Sequence, residues 1–116
     1  MPVGPYSQGI RADNLVFVSG QIPLDPNTGD FVSEGIREQT QQALRNVESI
    51  LVAGNSSLDM TIKATVYLTD IADFSVVNEV FSDFFSNQPP AREAVQVAAL
   101  PKGAKIEISA IGLAKT

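Results

Sequence analysis

Two short β-rich runs stand near the start of the chain. Ser7 to Ala12 and Leu15-Val16-Phe17-Val18-Ser19 flank Asp13-Asn14, a pair suited to a tight turn, so the pattern predicts a β-hairpin. Gly20 and the segment Pro23-Leu24-Asp25-Pro26-Asn27-Thr28-Gly29-Asp30 are turn formers that end the second strand in a loop. From Ile36 the apolar positions Ile36, Ala43, Leu44, Val47, Ile50 and Leu51 recur at helical spacing, and Gly54-Asn55 supplies a left-handed stop. Thr61 to Leu68 is rich in β-branched residues and reads as a strand ended by Thr69-Asp70. Asp70 or Asp73 then caps a second helix carrying Phe74, Val77, Phe81, Phe84 and Phe85, which Pro89-Pro90 cannot continue. Arg92 to Ala99 and Lys105 to Leu113 alternate as two further strands, joined by Leu100-Pro101-Lys102-Gly103-Ala104.

The resulting order is strand, strand, helix, strand, helix, strand, strand. It predicts an α+β fold: a single domain over residues 1–116, with a mixed β-sheet and two helices on one face. The sheet's other face then needs cover as well. In so small a protein another subunit supplies it most economically, so an oligomer is expected.

Composition narrows the chemistry. At 116 residues and 12.4 kDa the chain holds two packed layers and no second domain. With 44% apolar and 18% charged residues it is neither disordered nor fibrous. No uncharged apolar run approaches the roughly 18 to 20 residues of a membrane helix, so a soluble protein without a membrane partner is expected. The sequence contains no cysteine, histidine or tryptophan. Thiol nucleophiles, Ser-His-Asp triads, zinc fingers, haem ligation through histidine and redox disulfides are therefore excluded. The net charge is −5, with the segment from Arg92 onward at +2 and the rest at −7. An acidic chain without a dense basic stripe is a poor partner for nucleic acid. The start lacks a basic n-region and an apolar h-region, which gives a cytoplasmic location as the expectation. No GxGxxG or phosphate loop is formed, and Asp70 and Asp73 lack metal-loop spacing, so no nucleotide, metal or other cofactor is called for.

Four places break the pattern. Arg92 opens a strand directly after Pro89-Pro90-Ala91; it is either a solvated edge arginine or a planar fork for a small carboxylate. Glu107 lies between Ile106 and Ile108 and shares a side with Ser109 and Ile111. It reads as the polar face of an ordinary strand or, in a chain without histidine, as a carboxylate that orients or deprotonates a water. Asn78 stands four residues after Phe74 and three before Phe81, on the flank of a phenylalanine face, where an amide needs a partner from backbone, subunit or ligand. Ser19-Gly20-Gln21 ends a strand with a residue that lets backbone bend or another group approach closely.

Taken together, Gly4-Pro5-Tyr6-Ser7-Gln8, Ser19-Gly20-Gln21-Ile22-Pro23, the Gln39-Thr40 to Asn46 helix, Asp73-Phe74 to Asn78, Pro90-Ala91-Arg92 and Ala99-Leu100-Pro101-Lys102 with Ile106-Glu107-Ile108 closely resemble the RidA family, also called YjgF/YER057c/UK114. The resemblance runs from Pro2 nearly to the C-terminus. It implies a chorismate-mutase-like fold assembled as a homotrimer with sites between subunits. It also implies 2-iminobutanoate/2-iminopropanoate deaminase activity, the cofactor-independent hydrolysis of reactive enamines and imines to 2-keto acids and ammonia. By the same resemblance Arg92 binds the substrate carboxylate and Glu107 positions the water, while Tyr6, Ser19, Gly20, Phe74 and Asn78 line the pocket. Two rival functions stay open, namely 2-keto acid binding without turnover, and translation inhibition with ribonuclease activity. Many members carry a cysteine at the position of Ala94, so here the pocket has no thiol and a little more room. Fewer residues precede the Gly-Pro-Tyr motif than in many members, which predicts a shortened first strand.

Strand geometry adds one expectation. With the last two strands antiparallel across Leu100 to Ala104, Arg92 and Glu107 are offset by roughly 15 Å along the sheet. Neither side chain spans that distance, so a substrate touching both needs two chains.

Overall fold

A computed structural model of the protein describes residues 6–115, so Gly4 and Pro5 of the first motif lie outside the described residues. Strands β1 (Gly9–Ala12) and β2 (Leu15–Gln21) form the predicted hairpin, with Asp13 at a left-handed φ of 55° that short polar side chains tolerate. Helix α1 (Ile36–Ala53), strand β3 (Thr61–Leu68), helix α2 (Phe74–Phe84), strand β4 (Ala91–Gln96) and strand β5 (Ile106–Leu113) follow.

Several ends differ from the sequence expectation, each for a local reason. Strand β2 continues past Ser19 to Gln21 because a bulge between Val18 and Gln21 absorbs an extra residue. The stop after α1 uses Asn55, at φ 66°, as its left-handed residue; Gly54 has φ −90°. Glycine at 54 answers to packing instead, since a Cβ there would lie 2.8 Å from Val16 Cγ1. Asp70 caps the short 3-10 turn ahead of α2 by accepting from the Ala72 amide, while the Asp73 side chain makes no capping bond to α2.

The strand order is β1-β2-β5-β3-β4, and only β3 and β4 run parallel. The last two strands are therefore not neighbours, as the 15 Å estimate assumed; β3 separates them. Composition explains the exchange. Strand β5 places Ile106 and Ile108 fully in the core and has apolar Ile111 on its other side, so a central position suits it. Strand β4 carries Arg92, Glu93 and Gln96, which an edge tolerates.

Both helices pack on one face. Val16 and Val18 of β2, Ala64, Val66 and Leu68 of β3, and Ile106 and Ile108 of β5 meet Leu44, Val47 and Leu51 of α1 and Val77, Val80 and Phe81 of α2. The opposite face carries Ile10 beside Phe17, Phe17 beside Ile111, and Tyr67 beside Glu107 and Val95. Ile10, Phe17 and Val95 are 53%, 40% and 44% exposed, a band of apolar surface that one chain leaves open. Among the described residues no helix is long and apolar enough to cross a membrane.

Gln39 ties the start of α1 to the start of β5. Although polar, it is 2% exposed, with Nε2 donating to the Ser33 carbonyl at 2.9 Å and Oε1 accepting from the Lys105 amide at 3.0 Å. Gln39→Ala removes both bonds and strands two backbone groups. It is expected to lower unfolding free energy by about 1–3 kcal/mol in urea denaturation; an unchanged midpoint would show the tie to be idle.

Candidate functional site

At the bulged end of β2 the backbone of Gly20 approaches β5 closely. A Cβ on Gly20 would clash with Glu107 Oε2 and lie 2.6 Å from its Cδ and 2.9 Å from its Cγ, so glycine is what makes room for this carboxylate. Glu107 alternates with the buried Ile106 and Ile108 and so points to the open face. It is half-buried there, and burial raises its carboxyl above the ordinary glutamate value of 4.5.

A cleft of about 820 Å³ opens beside this pair. Of the residues that the resemblance assigns to the pocket, Tyr6, Ser19, Gly20 and Glu107 line it together, and Lys102 joins them. Lys102 was not singled out as a site residue. Its place in Pro101-Lys102-Gly103 and its left-handed φ of 58° mark it in the structure, whereas in sequence it is one lysine in a loop. The Ser19 hydroxyl donates to the Ser7 carbonyl, so its proton already has a partner within the chain.

Arg92, Phe74 and Asn78 do not line this cleft. Arg92 pairs in register with the buried Ala64 and therefore lies on the helix-covered face, the face opposite to Glu107. Its guanidinium carbon sits 5.1 Å from the ring centres of both Phe74 and Phe81, held by cation–π attraction to two aromatic faces one heptad apart on α2. Phe81, which the sequence pattern places on the apolar face of the helix, thus also lies against Arg92; its seven-residue spacing from Phe74 is the available signal. Asn78 stands between them on α2, half-buried, and its side-chain amide makes no hydrogen bond among the described residues. Ala94, two residues along β4, shares the face of Arg92 and packs against the core.

Arg92 has no carboxylate partner among the described residues, where the ion pairs are Arg37–Glu79 and Lys63–Glu93. The neighbouring Glu93 points to the other face and is taken by Lys63 at 2.7 Å. A rigidly seated, exposed guanidinium without a counter-anion is a receptor for an external carboxylate or phosphate. In one chain it cannot cooperate with Glu107. Three residues of strand and two strand spacings put them about 14 Å apart in the plane of the sheet, and they point to opposite sides.

Comparison with known proteins identifies the family. The family model described as Endoribonuclease L-PSP matches residues 1–114. The chain belongs to this family, the RidA/YjgF family. It is 47% identical to human 2-iminobutanoate/2-iminopropanoate deaminase over 96% of the chain and 81% of the human protein. To the Pyrococcus horikoshii RutC family protein it is 52% identical, over 95% of the chain and 87% of that protein. The crystal structure of RidA from the Antarctic bacterium Psychrobacter superposes with a TM-score of 0.93 at 45% identity, covering 97% of this chain and 91% of that one. Escherichia coli TdcF, solved with bound serine, gives 0.91 at 43% identity over 98% and 91% of the two chains. The RidA/YjgF fold expected from the sequence motifs is thus the fold observed.

The contact between Gly20 and Glu107 generates a separation of stability from activity. In Gly20→Ala the new methyl meets the flexible end of a side chain, so Glu107 is displaced while the core is untouched. Unfolding free energy should change by less than about 1 kcal/mol while catalytic turnover drops at least about tenfold, through misplacement of one acid–base group. Calorimetry alongside kinetics checks this, and parallel losses in both would make Gly20 a purely structural glycine.

Proposed function

We propose that the protein is a 2-iminobutanoate/2-iminopropanoate deaminase, hydrolysing reactive imines and their enamine tautomers to 2-keto acids and ammonia, and that it acts as a cytoplasmic homotrimer of chorismate-mutase-like subunits with sites between chains. The observation that carries this reading is the anion-free Arg92 on its phenylalanine seat, set on the opposite sheet face from the raised carboxyl of Glu107. The two halves complement one another only across an interface, and the apolar band on the open face is a surface that wants cover. The human, bovine and mouse relatives that bear the deaminase name support the same assignment.

In this site the substrate carboxylate takes the Arg92 fork, and Asn78 offers its free amide beside it. Glu107 of the neighbouring chain faces the imine carbon with a water between them. Protonation of the imine nitrogen makes the carbon electrophilic. Glu107 accepts a proton as the water oxygen bonds to that carbon, giving a carbinolamine. The proton then passes to nitrogen, and as the C–N bond breaks the carbinolamine hydroxyl gives its proton back to Glu107, forming the C=O of the 2-keto acid and releasing ammonia. Orientation of one water and one acid–base group suffices, and no cofactor takes part.

The ribonuclease reading in the family's description finds less support in this chain. No histidine pair is available for phosphodiester cleavage, and a protein of net charge −5 repels a polyanion.

A threonine dehydratase coupled to the protein, with semicarbazide competing for the released imine, tests the assignment through the rate of 2-ketobutyrate appearance. Acceleration is expected from the wild type. Arg92→Ala should lose at least about 10- to 100-fold in kcat/KM, the worth of a charge-assisted bidentate pair of roughly 1.5–3 kcal/mol, and Arg92→Lys should recover little. Binding of a 2-keto acid without acceleration would instead favour a regulatory binding protein.

Acidity gives a second check. Since burial raises the Glu107 carboxyl, the folded state holds that proton more tightly than the unfolded chain does. The stability this contributes is present at low pH and lost as pH rises through the folded value. The ionised base disappears in the reverse sense, so the acid limb of kcat/KM should fall above pH 4.5 and vanish in Glu107→Gln. A limb at or below the ordinary carboxylate range would remove Glu107 from the base role.

A further inference from the structure

At the wall of the cleft that carries Ser19 and Gly20 the register of the sheet is interrupted. Between Val18, opposite Ala110, and Gln21, opposite Ile108, the bulge leaves these two residues out of register with β5. A set of bonds to the segment after Tyr6 holds them. The Ser19 hydroxyl donates to the Ser7 carbonyl, and the Ser19 amide donates to the Gln8 carbonyl at 2.9 Å. Gln21 Nε2 donates to Gln8 Oε1 at 2.8 Å and to the Ser19 carbonyl at 3.1 Å, which occupies both of its hydrogens. Gln8 and Gln21 are both half-buried and both line the cleft. Two residues before Gln8 stands Tyr6, and one before Gln21 stands Gly20, the residue that leaves space for Glu107.

We infer that Gln8 and Gln21 are a pair of positioning residues whose amide–amide bond fixes Tyr6 against the cleft and, through Ser19 and Gly20, sets the place of the Glu107 carboxylate. Neither glutamine needs to touch substrate for this. Their consequence for turnover rests on the deaminase reading, but their action on Tyr6 does not.

The chain has two tyrosines and no tryptophan, so in a Tyr67→Phe background Tyr6 is the sole fluorophore above the phenylalanine band. Gln21→Ala and Gln8→Ala, each introduced there, should raise acrylamide quenching of Tyr6 and lower its fluorescence anisotropy. The double substitution should add nothing beyond either single one, because the two act through one bond. Gln8→Glu keeps the acceptor for Gln21 and should behave as the parent, which separates a lost bond from general unfolding. With Tyr67 restored, either alanine variant should lose about five- to tenfold in kcat/KM for the imine, the scale of one ordinary hydrogen bond. Unchanged Tyr6 quenching in folded alanine variants would overturn the pair, and so would changed quenching with undiminished imine turnover. A wild type inactive on imines, but with the predicted quenching pattern, would refute the deaminase reading and leave the fixation of Tyr6 standing.

Discussion

A β-strand sends successive side chains to opposite faces, and this alternation governs the whole arrangement. Arg92 stands in register with Ala64 and faces the helices; Glu107 stands between two core isoleucines and faces away. No rotamer change brings them together, because a sheet lies between them. The fold thus separates a cation from a carboxylate by construction and leaves each on a surface that another copy of the chain can approach. On the helix side the cation is seated on Phe74 and Phe81, and on the open side the carboxylate stands between Gly20 and Tyr67. The proposed site follows from bringing those two surfaces into contact.

The chemistry asked of such a site is modest. An iminium carbon next to a carboxylate is already electrophilic, so the protein's contribution is to hold the acid and to place one water near a base. In the proposed site Arg92 takes the first task, with Phe74 and Phe81 against its guanidinium and the adjacent Glu93 turned to the other face by strand alternation and paired there with Lys63. Glu107 suits the second because its raised carboxyl is a stronger base than an exposed glutamate. Gly20 and the amide pair behind it then set where that base stands.

The element order, the helix faces and the hairpin were legible in the sequence because each rests on local periodicity. The sheet order was not. The short Leu100–Ala104 connection suggests adjacent strands, whereas the chain crosses the end of β3 so that apolar β5 becomes central and polar β4 an edge. Of the candidate site residues, Tyr6, Ser19, Gly20 and Glu107 line one cleft, and Arg92, Phe74 and Asn78 form a second group. The resemblance carried those identities; the residues alone left Arg92 and Glu107 open between surface and site. What sequence could not reveal was long-range placement: Phe81 beneath Arg92, Lys102 on the cleft, and Gln8 against Gln21, each dependent on a contact that no local pattern encodes.

Complementation between defective chains tests the central claim most directly. Arg92→Ala and Glu107→Gln proteins, each strongly impaired alone, are unfolded, mixed in equal amounts and reassembled, and imine turnover is measured on material shown to contain both chains in one particle. A site shared across a cyclic interface predicts recovery of about one quarter of wild-type activity, since one pairing in four unites an intact Arg92 with an intact Glu107. Proven mixed assemblies without recovered turnover, or full activity in a monomer, would contradict it.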